Sequence, residues 1–393
     1  MIKLLGIILT LAMLLSGVVT AAAESAASEV QLLCLNIGKG DCLLLFYGET
    51  RWLIDAGYEV SWPALKAALA EYGVDHLDGV FLTHCHEDHY GGLTSLAGSD
   101  IPVGAWYASP LYYDINKEGH PLVLAARQRG EEVTWLSAGT EIPVGGDASF
   151  TVLGPLSVNE KNENNNSLVL SFSSPAGSIL LCGDMKNKEE KELVEAGNIS
   201  ACTLLKAGHH GDSKTLTSEF LMAARPQAAV ICTSTAQEPD TPAPAVLDKL
   251  KNIDCQAYVT QDFHDAVLFT LSGGKVTGVE DISWTGVPAR AEGITMEIDY
   301  GTDTITLRNT AAEPVSLDGY TIFSTTGNEA LTLKDLTLEN GGSWTIGGRK
   351  TTVPVDQTWD EKYVWSDKKR DVGVLYDSWG RPVACADNGL KED

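Results

Sequence analysis

Four times between residues 29 and 282 a short apolar run ends directly in a carboxylate or a histidine. Leu53-Ile54 leads into Asp55, and Val80-Phe81-Leu82 into Thr83-His84-Cys85-His86-Glu87-Asp88-His89. Ile179-Leu180-Leu181-Cys182-Gly183 leads into Asp184, and Lys206-Ala207-Gly208 into His209-His210. An Asp after a strand is often only a turn former, and a lone His-His pair decides little. Four such endings in one α/β segment constrain the fold far more. The runs must be buried strands whose carboxyl ends release their polar residues into one crevice. Imidazole and carboxylate are the ligands that divalent zinc or manganese prefers, so the crevice reads as a metal site.

The intervening sequence supports layers of sheet and helix. Strand-like runs are Val30–Leu35, Cys42–Tyr47, Trp52–Ile54, Val80–Leu82, Ser149–Leu153, Ser167–Phe172, Ser178–Leu181, Thr203–Leu205, Ala228–Cys232, Gln256–Thr260 and Ala266–Leu271. Helical stretches are Trp62–Glu71, Pro121–Gly130, Lys186–Ala196, Ser218–Ala224 and Ala243–Lys251. Strands interspersed with helices in this order predict an α/β fold, and the short runs at the start predict an antiparallel opening. The aromatic stretch Trp106–Tyr113 reads as an insertion that selects substrate, its rings either stacking on bases or packing in the core. Pro288-Ala289-Arg290-Ala291-Glu292-Gly293 lies in a linker over 283–293. From 294 to 388 the pattern turns to alternating β residues with glycine turns, predicting a separate all-β domain.

Composition bounds the rest. The 393 residues, 44% hydrophobic and 21% charged, suffice for two domains with real cores. Residues 1–23 read as a secretory signal, with Lys3, the apolar run Leu4–Leu15 and Ala21-Ala22-Ala23 before Glu24. The mature chain is therefore expected outside the cell, secreted or at a bacterial surface, with no membrane span left after cleavage. Net charge is −25, or −26 without residues 1–23, which hold one lysine and no acid. Such a surface repels polyanions at long range and argues against non-specific DNA binding through lysine and arginine. It leaves open a nuclease that works through metal ions. Eight cysteines over this length do not make a disulfide framework, and Cys34, Cys182, Cys202 and Cys232 read as small core residues.

The order Asp55, His84-x-His86-x-Asp88-His89, Asp184, His209-His210 resembles the motif series of the metallo-β-lactamase-fold hydrolases. The phrases Leu35-Asn36-Ile37-Gly38-Lys39-Gly40-Asp41-Cys42, Asn164–Ser167 and Lys206–Gly211 are similar to those of DNA-uptake competence proteins in that superfamily. The resemblance spans about residues 29–275 and implies a four-layer αβ/βα sandwich. It further implies two divalent ions, zinc or manganese. His84 and His86 would hold the first, Asp88, His89 and one of His209 and His210 the second, with Asp184 bridging. Asp55 would steady the histidine loop by hydrogen bonds, and Asn164 and Ser167 would stand where many members place another histidine. His120, the one other histidine in that interval, is a poor ligand candidate, and Cys85 between His84 and His86 is left off the site.

Two ions in such a site share and activate a water as the nucleophile. Asp88 would orient it, and whichever of His209 and His210 is free of metal would hydrogen-bond substrate. The resemblance thus implies a phosphodiesterase or nuclease acting on nucleic acid or another phosphodiester. A hydrolase of teichoic-acid phosphodiesters in the cell wall is the alternative within enzymes. A surface-binding protein with a structural metal site is the alternative outside them. Thr306–Thr310, Val315–Tyr320 and Val374–Gly380 resemble the lamin-tail domain, an immunoglobulin-like β-sandwich, implying an accessory module for a cell-surface or cell-wall ligand.

Overall fold

Side chains alternate along the first strands between two hydrophobic layers, and this alternation builds the N-terminal part of the molecule. In the computed structural model, which describes residues 29–113 and 119–390, Leu33 and Leu35 face one apolar layer, Leu32 and Cys34 the other. Val80 and Leu82 likewise face away from Phe81, and Leu180 away from Ile179 and Leu181. Strands buried on both faces must be apolar at every position, which is why these segments read as continuous runs. The proposed signal segment, residues 1–23, lies outside the described residues.

Eight strands form the first sheet, in the order Lys275–Ile282, Ala266–Ser272, Glu29–Leu35, Cys42–Tyr47, Thr50–Ala56, Gly79–Leu82, Trp106–Ala108 and Val133–Trp135. The strands from Glu29 to Ala56 pair antiparallel, and those from Thr50 to Trp135 pair parallel. Seven strands form the second sheet, in the order Gln256–Val259, Ala228–Ile231, Leu204–Lys206, Gly177–Leu181, Val169–Ser174, Ala148–Gly154 and Glu141–Gly145. Phe150, Phe172, Trp52 and Phe81 fill the layer between the sheets. Leu65 and Ala68 of helix Trp62–Glu71 and Leu122 of Pro121–Gln128 cover the first sheet. Leu193 of Asn187–Glu195, Phe220 of Ser218–Ala224 and Val246 of Pro244–Asn252 cover the second. The result is four layers: helix, sheet, sheet, helix.

The aromatic stretch at Trp106 differs from its expectation. Trp106–Ala108 is not an insertion but a parallel strand inside the first sheet, with Trp106 fully buried. Tyr107 stacks on Phe81 at 5.0 Å and on Trp52 at 6.3 Å, so neither ring is available to a base. Of the four aromatic rings in this stretch, Tyr113 alone is exposed.

Residues 294–387 contain strands and no helix among the described residues. One four-stranded sheet holds Ile294–Asp299, Thr304–Asn309, Ser343–Gly347 and Gln357–Thr358; another holds Ala330–Thr332, Thr321–Ser324, Val372–Tyr376 and Pro382–Asp387. Ile305, Leu307 and Ile346 from one share an apolar cluster with Ile322 and Leu375 from the other. The segment 283–293 is pinned rather than loose. Trp284 is buried in the first helix–sheet layer, and the Arg290 guanidinium donates to the carbonyls of His264 and Pro382. All eight cysteines are free thiols, Cys34, Cys182, Cys202 and Cys232 being buried. No helix among the described residues is long and apolar enough to cross a membrane.

Candidate metal centre

The carboxyl ends of strands from both sheets meet at one edge of the sandwich. Asp55 is the penultimate residue of strand Thr50–Ala56, and Thr83 to His89 follow strand Gly79–Leu82. Asp184 follows Gly177–Leu181, and His209-His210 follow Leu204–Lys206. His84, Asp88, His89, Asp184 and His210 are buried, while His209 sits at the rim with its side chain 18% exposed.

Asp184 is the hub. Its Oδ1 lies 3.3 Å from His89 Nε2, and its Oδ2 lies 3.3 Å from His210 Nε2 and 3.7 Å from His84 Nε2. His209 Nε2 is farther, at 3.9 Å. His210 Nε2 also lies 3.2 Å from Asp88 Oδ2, and His84 Nε2 lies 3.0 Å from His86 Nδ1. Two ligand groups therefore share Asp184. One is Asp88, His89, Asp184 and His210, the other His84, His86 and Asp184, the candidate atoms of each within 4.8 Å of one another.

Hydrogen bonds on the far side of each ring fix which nitrogen faces inward. His89 Nδ1 donates to Asp55 Oδ2 at 2.7 Å, and His210 Nδ1 donates to the Cys232 carbonyl at 2.7 Å. With Nδ1 donating, the neutral form of each ring carries its lone pair on Nε2, the nitrogen that faces Asp184. Asp55 also accepts from Thr83 N at 2.8 Å and Thr83 Oγ1 at 2.7 Å, tying down the start of the histidine loop. Ser167 Oγ accepts from Asp184 N at 3.0 Å and donates to the Asn164 carbonyl at 2.9 Å. Ser167 thus orients Asp184, while Asn164 takes part through its backbone. His209 and His210 both adopt left-handed backbone angles, φ 41° and 55°, in the turn after strand Leu204–Lys206. Such strain persists only where surroundings impose it, and it aims His210 inward while leaving His209 at the rim.

Asp41 and Lys206, whose roles were not read from the sequence, complete the centre. The fully buried Lys206 ammonium pairs with Asp41 Oδ2, donates to the Gly183 carbonyl at 3.0 Å and lies 4.0 Å from Asp184 Oδ1. Asp41 Oδ1 lies 3.7 Å from His210 Nδ1. A signal was present: a lysine ending a wholly apolar strand must be buried, and a buried ammonium requires an acid. Two residues expected elsewhere stand apart from both groups. His120 packs between Tyr112 at 4.9 Å and Trp135 at 5.1 Å, and burial pulls its imidazole down to about 4. Cys85 is buried against the first helix–sheet layer.

The donor set fits cations. His89 Nε2, His210 Nε2 and Asp184 Oδ1 are buried and make no hydrogen bond, although they face one another. Each unsatisfied buried group costs about 1–3 kcal/mol, and a positive ion between them resolves all three. The imidazoles divide by surroundings. Burial and then the neighbouring His89 and His86 hold His84 well below the usual histidine range. Burial likewise pulls His209 down to about 3. For His210 burial acts downward too, but Asp184, Asp88 and Asp41 outweigh it and raise the imidazole to about 8. His89 rises for the same reason, with Asp184 and Asp55 overcoming burial.

The profile described as "Metallo-beta-lactamase superfamily" matches residues 35–235, just over half of the chain. "ComE operon protein 3" of Bacillus subtilis (strain 168) is 27% identical over 229 residues, 52% of this chain and 28% of that protein. "Competence protein ComA" of Neisseria gonorrhoeae is 27% identical over 272 residues, 67% of this chain and 36% of that protein. The chain thus spans about a third of the length of either relative. Among solved structures, the metallo-beta-lactamase fold protein YhfI of Bacillus subtilis aligns over 58% of this chain and 96% of its own, at 11% identity and a TM-score of 0.39. With the profile match on residues 35–235 and the His/Asp centre inside it, the chain belongs to the metallo-beta-lactamase superfamily.

Proposed function

We propose that the protein is an exported, dinuclear metal-dependent phosphodiesterase, with nucleic acid as its foremost substrate class. The observation that carries this reading is the pair of ligand groups sharing Asp184. Asp88, His89, Asp184 and His210 would hold one ion and His84, His86 and Asp184 the other. Two such ions, zinc or manganese, supply an activated water and stabilise charge on a phosphoryl oxygen and its leaving group.

The chain's own residues do the rest. Asp88, on the open side of the centre, accepts a hydrogen bond from the attacking water and so orients it. His209, neutral because burial holds it at about 3, stands outside the four-residue group. It donates a hydrogen bond to a phosphoryl oxygen from the rim. Asp55 and Ser167 keep His89 and Asp184 in register. Similarity to two competence proteins supports nucleic acid as the diester. The net charge of −25 favours a small substrate, or a teichoic-acid diester of the cell wall, over long DNA. Residues 1–23 support export, and the all-β region 294–387 supports a lamin-tail-like module that keeps the enzyme at a surface.

Incubating the full-length, metal-loaded chain with single-stranded DNA, duplex DNA, RNA and teichoic acid side by side tests the reading. Chelator-sensitive cleavage of a nucleic acid, lost in Asp184→Asn, is expected. Cleavage of teichoic acid alone would transfer the enzyme to the cell wall. Metal binding with no diester cleaved would contradict the proposal.

A further inference from the structure

Lys39 stands at the open side of the metal centre, in the turn between strands Glu29–Leu35 and Cys42–Tyr47. Its Nζ lies 3.6 Å from Asp88 Oδ2, and its side chain is 25% exposed. A second ammonium, that of Lys186, lies 3.6 Å from Asp212 Oδ1 near the same rim, and both lysines act on the His209 imidazole. The chain therefore sets two cations around the mouth of the centre against a net charge of −25. An anionic substrate needs such a local positive field to enter.

Lys39 differs from the other lysine of the centre in a way that separates binding from structure. Lys206 and Asp41 are each only 1% exposed, and their pair is locked inside. The Lys39 ammonium faces both Asp88 and solvent. Should Asp88 share its charge with a metal ion, this ammonium would be a side-chain cation open to an incoming phosphoryl oxygen, a role lysine commonly takes.

The loop that presents Lys39 is held from the C-terminal region. Gly38 and Gly40 flank the lysine at φ +88° and +143°. A Cβ on Gly40 would stand 2.8 Å from the Asp88 carbonyl oxygen, and one on Gly38 would stand 2.2 Å from the Gln237 amide nitrogen. Lys39 N donates to Gln237 Oε1 at 2.6 Å. Arg370 Nη2 donates to the Gln237 carbonyl at 2.9 Å, and its Nη1 meets Glu238 Oε1 at 3.2 Å. The Tyr376 hydroxyl donates to the Ile37 carbonyl at 3.4 Å, one residue before Gly38.

We propose that Lys39 is the phosphate-binding cation of this centre, and that Arg370, acting through Gln237, is the residue that positions it. The proposal rests on the phosphodiesterase reading for its substrate, though not for the anion site itself. It makes the C-terminal β region part of the binding machinery, beyond any accessory role.

The test uses the full-length, metal-loaded chain and inorganic phosphate as the probe, titrated by calorimetry, with metal content measured on every sample. Lys39→Met should keep both ions and bind phosphate roughly tenfold more weakly, the scale of one charge-assisted hydrogen bond. Lys39→Arg should restore most of that loss. Arg370→Met should weaken phosphate several-fold, and the double variant Lys39→Met, Arg370→Met should bind no more weakly than Lys39→Met alone. On a chromogenic diester, Lys39→Met should raise KM more than it lowers kcat. Unchanged phosphate affinity in Lys39→Met overturns the assignment, and so does loss of metal, which would make Lys39 only a partner of Asp88. Additive losses in the double variant overturn the role of Arg370. If the native chain binds phosphate through Lys39 but cleaves no diester, the phosphodiesterase reading fails while the anion site stands. If diesters are cleaved and Lys39→Met changes neither affinity nor KM, the reverse holds.

Discussion

Asp55 shows how much of the centre depends on single side chains behind the ligands. One carboxylate accepts from Thr83 N, Thr83 Oγ1 and His89 Nδ1, so it sets both the loop and the ring. Asp55→Ala should weaken metal affinity about 10- to 100-fold, the usual effect of removing a partner behind a histidine ligand; competition with a chromogenic chelator measures it. Lys206→Met leaves Asp41 buried without its cation and should destabilise the metal-free chain by about 3–5 kcal/mol in denaturant unfolding. Adding Asp41→Asn should recover much of that loss. The His210 imidazole, raised to about 8 in the metal-free chain, adds stability that is complete below pH about 6.5. That stability fades as pH rises through 8, because the folded state holds the proton more tightly than the unfolded one. The chelated chain should therefore lose thermal stability between pH 6.5 and 9, less so in His210→Gln. Metal uptake at pH 7 should release protons, seen as binding heat that varies with the ionisation enthalpy of the buffer. The histidine loop was legible because its residues are adjacent in sequence. The apolar strand before Lys206 signals its burial, but its pairing with Asp41 was not legible, because the partner lies 165 positions away (206 minus 41) and only the fold brings it near.

At the scale of elements, burial decided what could be read. Strands Cys42–Tyr47 and Ala266–Ser272 carry apolar residues on both faces, and their sequences announce them. Lys275–Ile282 sits at a sheet edge with one neighbour, carries Gly278 and has no buried residue, so it lacks the continuous apolar run that marks the inner strands. Trp106–Ala108 and Val133–Trp135 are three residues each and become strands only through parallel pairing with distant segments. The choice between His209 and His210 belongs to this scale too. Both follow the same strand, and only the left-handed turn separates an inward ring from a rim ring. Phe150 packs against Trp52 at 5.1 Å, Phe81 at 4.9 Å and Phe172 at 5.2 Å, joining the two sheets. Phe150→Ala should reduce unfolding free energy by about 3–5 kcal/mol, measured by denaturant titration, without altering the ligand set.

For the whole molecule, the break in texture near residue 283 was plain in the sequence, but the joint across it was not. Arg381, 4% exposed, reaches Asp265 at 3.1 Å and pairs with Asp377, and Tyr58 packs on Phe323 with ring centres 5.0 Å apart. These contacts join segments far apart in sequence, and no local pattern encodes them. They couple the two halves, so calorimetry of the full chain should give one unfolding transition. Arg381→Ala, which takes the cation from buried Asp377 and leaves Asp265 only the Arg290 guanidinium at 3.8 Å, should destabilise by about 3–5 kcal/mol and separate that transition into two. The most direct test of the whole account is to titrate metal into the chelated full-length chain while following hydrolysis of bis(p-nitrophenyl) phosphate. Activity should be absent at the start and saturate at about two ions per chain, the stoichiometry of a paired-metal centre. A chain that takes up two ions and leaves the diester intact, or one that hydrolyses it with no metal bound, would contradict the account.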